Sequence, residues 1–228
     1  MADSAVSHPY YPQDLLLSNY VPNDLGLAHL LVGFSCGVFV LAGLAILLPK
    51  RFKPRLSLAD RSLVVWFVLT GSIHCFFEGY FVLHRSDVVG SLDFFAQLWK
   101  EYALSDSRYL VLDPIVLCME TCTVLIWGPL SLLTAVLITV DSPYRYPIQA
   151  LVSTGQFYGD MLYYSTSLYE DFTLGKQYYR PEPYYFWVYF VMMNTFWLII
   201  PGCKTASQSN FNKTECILNR TLYRLFNQ

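Results

Sequence analysis

Three ionisable side chains stand inside long apolar runs of this 228-residue chain: His74 and Glu78, four residues apart, and Glu120. A carboxylate at the centre of a bilayer costs roughly 3 kcal/mol on insertion scales, so two cost about 6, comparable to the net stability of an ordinary domain. Such groups face a cavity or a partner, not lipid. Helical residues four apart share a face, which puts His74 one turn from Glu78. Thr123 and Trp127 follow Glu120 at three and seven residues and share its face. Asn194 and Trp197 are three apart, and Gln156 and Asp160 four apart. Together these residues offer a proton donor, a proton acceptor, a polar orienter and a large π face. Imidazole and carboxyl groups can pass a proton between them, and an indole ring holds a desolvated cation with about 2 kcal/mol. This kit suits chemistry that creates a transient carbocation in a greasy molecule. A plainer reading stays open beside it: a structural His74–Glu78 pair, Glu120 tying helices through Thr123 or Asn194, and tryptophans that only pack. A proton-coupled transporter would use the same residue types, although no internal repeat pair is visible.

The elements that must position these residues are membrane helices. Hydrophobic residues make up 54% of the chain and charged residues only 14%, against about 25% charged in a soluble domain. A net charge of -2 gives no pointer to nucleic acid. Residues 30–48 form an uncharged span; 62–83 carry Thr70, Ser72, His74 and Glu78 as their polar intruders; 115–140 carry Glu120 alone, with Pro129 predicting a kink. Residues 148–168, interrupted by Gln149, Gln156 and Asp160, form a weaker fourth span, and 184–200 a short fifth. The expected fold class is therefore an all-α membrane protein of five transmembrane helices. Lys50, Arg51, Lys53, Arg55 and Arg61 after the first span place that loop in the cytoplasm and the N-terminus on the lumenal side. Spans two and three then run antiparallel, with Glu78 and Glu120 each about five residues from the lumenal end, hence at a common depth of ~7 Å. The stretch SLDFFAQLWKEY places Phe94, Phe95, Leu98, Trp99 and Tyr102 on one helical face, as either an interfacial helix or one packed on the bundle. The six cysteines read as small apolar residues, neither a disulfide frame nor a zinc site. The first residues lack the basic region and cleavage site of a removable signal peptide.

Long blocks of the sequence, in order, carry a resemblance. They are HPYYPQ at 8–13, YVPND at 20–24, IHCFFEGYFVL at 73–83, QLWKEYALSDSRY at 97–109, CMETCTVLIWGPLSL at 118–132, GQFYGDMLY at 155–163 and YFWVYFVMMNTFWLIIPG at 185–202. Through them the chain resembles the emopamil-binding (EXPERA) family of sterol delta-8 to delta-7 isomerases. The resemblance implies a five-helix bundle around a sterol cavity in the endoplasmic reticulum membrane, extending to the nuclear envelope, and a homodimer. It implies proton transfer by His74 and Glu78, with Glu120 and Thr123 lining the same cavity. Asn194 and Trp197 orient the substrate and stabilise the cation, Trp127 contacts it, and Tyr109 sits at the cavity edge. The implied reaction protonates a sterol at C9 and deprotonates it at C7, with no metal or nicotinamide, and cationic amphiphilic amines act as inhibitors. The family's fold also serves non-catalytic sterol and amine binders, which is the alternative function. Residues 1–202 match as one membrane domain. The tail at 203–228 departs from the family's lysine-rich continuation, so the fifth span is expected to stop at Pro201-Gly202. The tail also carries two Asn-X-Thr triplets, at 212–214 and 219–221.

Overall fold

The computed structural model describes residues 7–52 and 56–203. Among them every regular element is helical: α1 (Leu27–Phe52), α2 (Leu58–His84), α3 (Phe94–Tyr102), α4 (Pro114–Thr139), α5 (Arg145–Leu174) and α6 (Tyr185–Cys203). Four of these, α1, α2, α4 and α6, are long and apolar enough to cross a membrane. The expected fourth span is α5. Its 30 residues reach about 45 Å, but polar residues keep it outside that set. Those polar residues point inward: Gln149, Ser153, Gln156 and Ser167 are buried, while Leu151, Tyr158, Phe172 and other apolar residues face out.

Capping chemistry sets the helix starts. Ser57 accepts the Asp60 N–H at 3.0 Å at the head of α2. Asp93 accepts from Phe95 and Ala96 before α3, and Asp113, followed by Pro114, from Ile115 and Val116 before α4. Three of the four spans that carry the singled-out residues are not continuous α-helices. Each contains a π-helical stretch: Ile73–Glu78, Thr123–Trp127 and Tyr185–Met192. The one in α4 immediately precedes Gly128-Pro129, where the proline ring denies an N–H to the ladder and Gly128 bonds the Thr123 carbonyl five residues back. The distortion expected at Pro129 is this stretch. At the other end the expectation fails: α6 does not stop at Pro201-Gly202 but runs through both to Cys203, the last described residue. The tail triplets, Cys216 and the basic residues beyond 203 lie outside the described residues.

Helices α2 and α4 pack most extensively. They approach closely because Gly128 sits against α2. A Cβ there would lie 2.6 Å from Cys75 Sγ and 3.1 Å from His74 Cβ. Small residues at a crossing let membrane helices meet backbone to backbone. Five cysteines among the described residues are free, and Cys36, Cys118, Cys122 and Cys203 lie on outward or cavity-facing surfaces, not in the packed interior.

One end of the bundle carries a cap. Of the two readings left open for residues 94–102, the packed one holds: Ala96, Gln97, Leu98, Trp99 and Lys100 of α3 are all buried. The motifs near the N-terminus fasten to it. Tyr10 donates to the Lys100 carbonyl at 3.1 Å, and Gln97 Oε1 accepts from the Asp24 and Leu25 amides at 3.0 and 2.9 Å. Lys100 Nζ donates to the Val21 and Ser91 carbonyls, both at 2.7 Å. Arg108 is fully buried on Asp106 at 2.6 Å and lies over the Tyr163 ring at 5.2 Å. Burial disfavours the Arg108 charge, and the Asp106 carboxylate bonded to it more than offsets that, so the Arg108 pKa is raised.

Candidate functional site

Between α2, α4, α5 and α6, under the cap, lies a cavity of about 550 Å³, within the range of small-molecule sites. Its wall is mostly apolar and aromatic, and His74, Glu78 and Glu120 open onto it. The π-helical stretch of α2 supplies the first two. His74 Nδ1 lies 2.9 and 2.8 Å from the two carboxyl oxygens of Glu78. The irregular backbone here also leaves the Phe77 carbonyl to accept the Trp99 indole N–H at 3.0 Å, with the Phe77 and Trp99 rings stacked at 4.4 Å. The cap is thereby fixed to the same turn of α2 that holds the titratable pair.

Glu120 is buried and arrives from α4 at the same depth. Its carboxyl and that of Glu78 face the same cavity as near neighbours. Tyr109 donates to Glu120 Oε1 at 2.6 Å. On its other side, His74 Nε2 lies 3.0 Å from Thr70 Oγ1 and 3.0 Å from Gln156 Nε2. The Gln156 amide nitrogen can only donate, so Nε2 is the bare nitrogen and Nδ1 carries the hydrogen toward Glu78. The Trp197 indole N–H donates to Thr70 Oγ1 at 3.0 Å, and its ring centre lies 6.2 Å from that of His74. Hydrogen bonds thus connect Trp197, Thr70, His74 and Glu78, and the bonded pair of Glu120 and Tyr109 faces the same cavity.

The other residues singled out by sequence fall on the same cavity, some in different roles. Tyr109 lines the cavity, is 4% exposed and is directly bonded to Glu120. Thr123 lines the wall, but its hydroxyl is bonded to the Met119 carbonyl at 2.9 Å, so it does not tie Glu120 to a second helix. Asn194 Oδ1 accepts from the Tyr102 hydroxyl at 3.1 Å while its amide bonds the Phe190 carbonyl at 2.8 Å. Trp127 lies on α5 at Gly155, where a Cβ would come within 2.4 Å of the ring; the GQFYGD block needs that glycine for the contact. Sequence reasoning missed Thr70 as the hub between Trp197 and His74, and Tyr102 as the partner of Asn194. The signal for Thr70 was present, since it stands four residues before His74 on the same face. Nothing local signals Tyr102, which lies 92 residues from its partner.

The chain is similar to known proteins over most of its length. A family model described as EXPERA (EXPanded EBP superfamily) matches residues 94–206. The chain is 42% identical over 200 residues to the 3-beta-hydroxysteroid-Delta(8),Delta(7)-isomerase of Mus musculus and 40% over 200 residues to that of Rattus norvegicus. It is 39% identical over 202 residues to that of Cavia porcellus; each match covers 86% of this chain and 84% of the relative.

Proposed function

We infer the activity from one premise: this chain belongs to the EXPERA (EXPanded EBP) superfamily, with 3-beta-hydroxysteroid-Delta(8),Delta(7)-isomerases as its relatives over most of its length. It is a sterol isomerase that moves the 8(9) double bond to 7(8), a step of cholesterol synthesis. The observation that carries this reading is the hydrogen-bonded His74–Glu78 pair and the Tyr109-held Glu120 opening onto one apolar cavity.

Glu78 gives its proton to C9, and the π electrons of the 8(9) bond form the new C9–H bond, leaving a tertiary cation at C8. The Glu120 carboxylate, held by Tyr109, and the Trp197 ring stabilise that charge. The His74–Glu78 pair, now one proton short, takes a proton from C7, and the C7–H electrons become the 7(8) double bond. One proton enters and one leaves, so no electron acceptor is needed. Thr70 and Gln156 keep the imidazole in one tautomer, Asn194 and Tyr102 orient the substrate from the α6 side, and Thr123 and Trp127 shape the wall. Cationic amphiphilic amines bind as mimics of the cation. The protein works with α5 as a fifth membrane helix and its N-terminus lumenal, in the endoplasmic reticulum membrane and nuclear envelope, as a homodimer, with residues 1–202 as the active domain.

The test is expression in cells lacking the isomerase, followed by sterol profiling. The expected outcome is loss of 8(9)-sterols and recovery of 7(8)-sterols. Persisting 8(9)-sterols would instead favour a non-catalytic sterol and amine binder.

A further inference from the structure

Three side-chain polar atoms in the cavity wall have no hydrogen-bond partner among the described residues: the Tyr163 hydroxyl and two acceptors, Gln156 Oε1 and Asp160 Oδ2. Gln156 is 5% exposed, and its amide nitrogen is used three times, on Thr70 and His74 at 3.0 Å and on Ser131 at 3.4 Å. The nitrogen of Gln156 thus faces the network and its Oε1 is turned away. That oxygen is buried and has no hydrogen-bond partner among the described residues. Asp160 follows one turn later on α5, about 6 Å along the helix. It also lines the cavity, and its Oδ2 is likewise buried without a partner. Native proteins satisfy nearly all buried acceptors. Two unsatisfied ones on successive turns of one helix, both in a cavity wall, call for a donor from a ligand.

We propose that Asp160 Oδ2, backed by Gln156 Oε1, is the anchor that accepts the hydrogen bond of the substrate's 3β-hydroxyl. The proposal rests on reading the cavity as the site of a 3-beta-hydroxysteroid. Such a substrate carries one polar group on an otherwise apolar frame, so one anchor fixes its depth. Gln156 joins the two tasks: its nitrogen holds His74 and its oxygen borders the anchor. The position of the hydroxyl and the position of the imidazole are set by one side chain. Asp160 is a positioning residue in this scheme and does not touch the reacting carbons.

The experiment measures kcat and KM for an 8(9)-sterol and for its 3-O-methyl ether in the wild type, Asp160→Leu and Asp160→Asn. The ether keeps the ring system but cannot donate. A hydrogen bond of this kind is worth roughly tenfold or more. In the wild type the ether should therefore show a KM at least tenfold above that of the free sterol, with kcat little changed, the signature of lost uniform binding. In Asp160→Leu the two sterols should have the same KM, whereas Asp160→Asn, which keeps an acceptor, should retain most of the preference. A wild-type ratio near one overturns the proposal without any variant, and so does a ratio in Asp160→Leu equal to that of the wild type. Absence of turnover on either sterol would defeat the isomerase reading instead. Thermal shift of the wild-type protein with each sterol would then still decide the anchor, with equal shifts overturning it.

Discussion

In the cap, Lys100 and Arg108 are each 1% exposed, as buried as any leucine of the bundle, and their donors end on fixed protein acceptors. Lys100 holds two carbonyls that pin the N-terminal segment and the loop before α3. Arg108 is clasped by Asp106 and reaches Thr166 of α5 at 3.0 Å. The membrane-level cluster buries ionisable groups to a similar degree, but it bonds titratable groups to one another, His74 to Glu78 and Tyr109 to Glu120, and these open onto a cavity. Burial alone therefore does not mark a reactive site. A charge whose partners are fixed and whose surroundings are filled is a fastener. A charge whose partners can themselves lose or gain a proton, beside open volume, is equipment for chemistry.

Substitutions in the two regions should separate these roles. The largest effect is expected for Glu78→Gln and Glu120→Gln. Each should lower isomerisation at least a hundredfold, the scale of general acid–base catalysis, while the melting temperature in detergent moves by only a few degrees. Turnover near wild type in both variants would erase the distinction between the regions. Next comes Arg108→Met, which strands Asp106 in the interior and should cost about 3–5 kcal/mol of stability. A thermal melt should show the loss, the double variant Asp106→Asn/Arg108→Met should recover part of it, and the folded fraction should keep its specific activity. Loss of activity without loss of stability would place Arg108 in the chemistry. Thr70→Val removes the acceptor of the Trp197 indole and one partner of His74. An orphaned buried donor costs about 1–3 kcal/mol, and kcat should fall roughly tenfold beyond any effect on the melt. The smallest effect is expected for Tyr109→Phe, which deletes one neutral donor to Glu120. About 1 kcal/mol, or some fivefold in kcat/KM, is the expected loss, with the melting temperature nearly unchanged.

The sequence carried the ionisable residues and their spacing within each helix. His74 and Glu78 meet as the four-residue spacing requires, and the antiparallel rise brings Glu78 and Glu120 to one level. It carried less about residues whose partners are distant in the chain. Lys100 and Arg108 stand in a motif as polar as any active-site block, and only their three-dimensional partners identify them as fasteners. Tyr109 illustrates the same limit. Its type and motif placed it by the cavity, but its bond to Glu120 depends on the turn Ser107–Leu110 folding beneath the cap. The fifth helix, α5, was weak in sequence for a physical reason: its polar residues face inward, and average hydropathy cannot distinguish an inward polar stripe from a polar surface.

By itself the sequence determined that this is a helical membrane protein and that proton-moving residues lie within its spans, because hydropathy and helical periodicity are local properties. The tertiary structure alone decided which nitrogen of His74 faces Glu78, that Thr70 and Gln156 hold the other, and that Asp160 and the Gln156 carbonyl are left for a ligand. Those facts depend on how helices are rotated against one another. Three π-helical stretches alter that rotation at the level of the site, and no spacing rule written for a regular helix carries it across them.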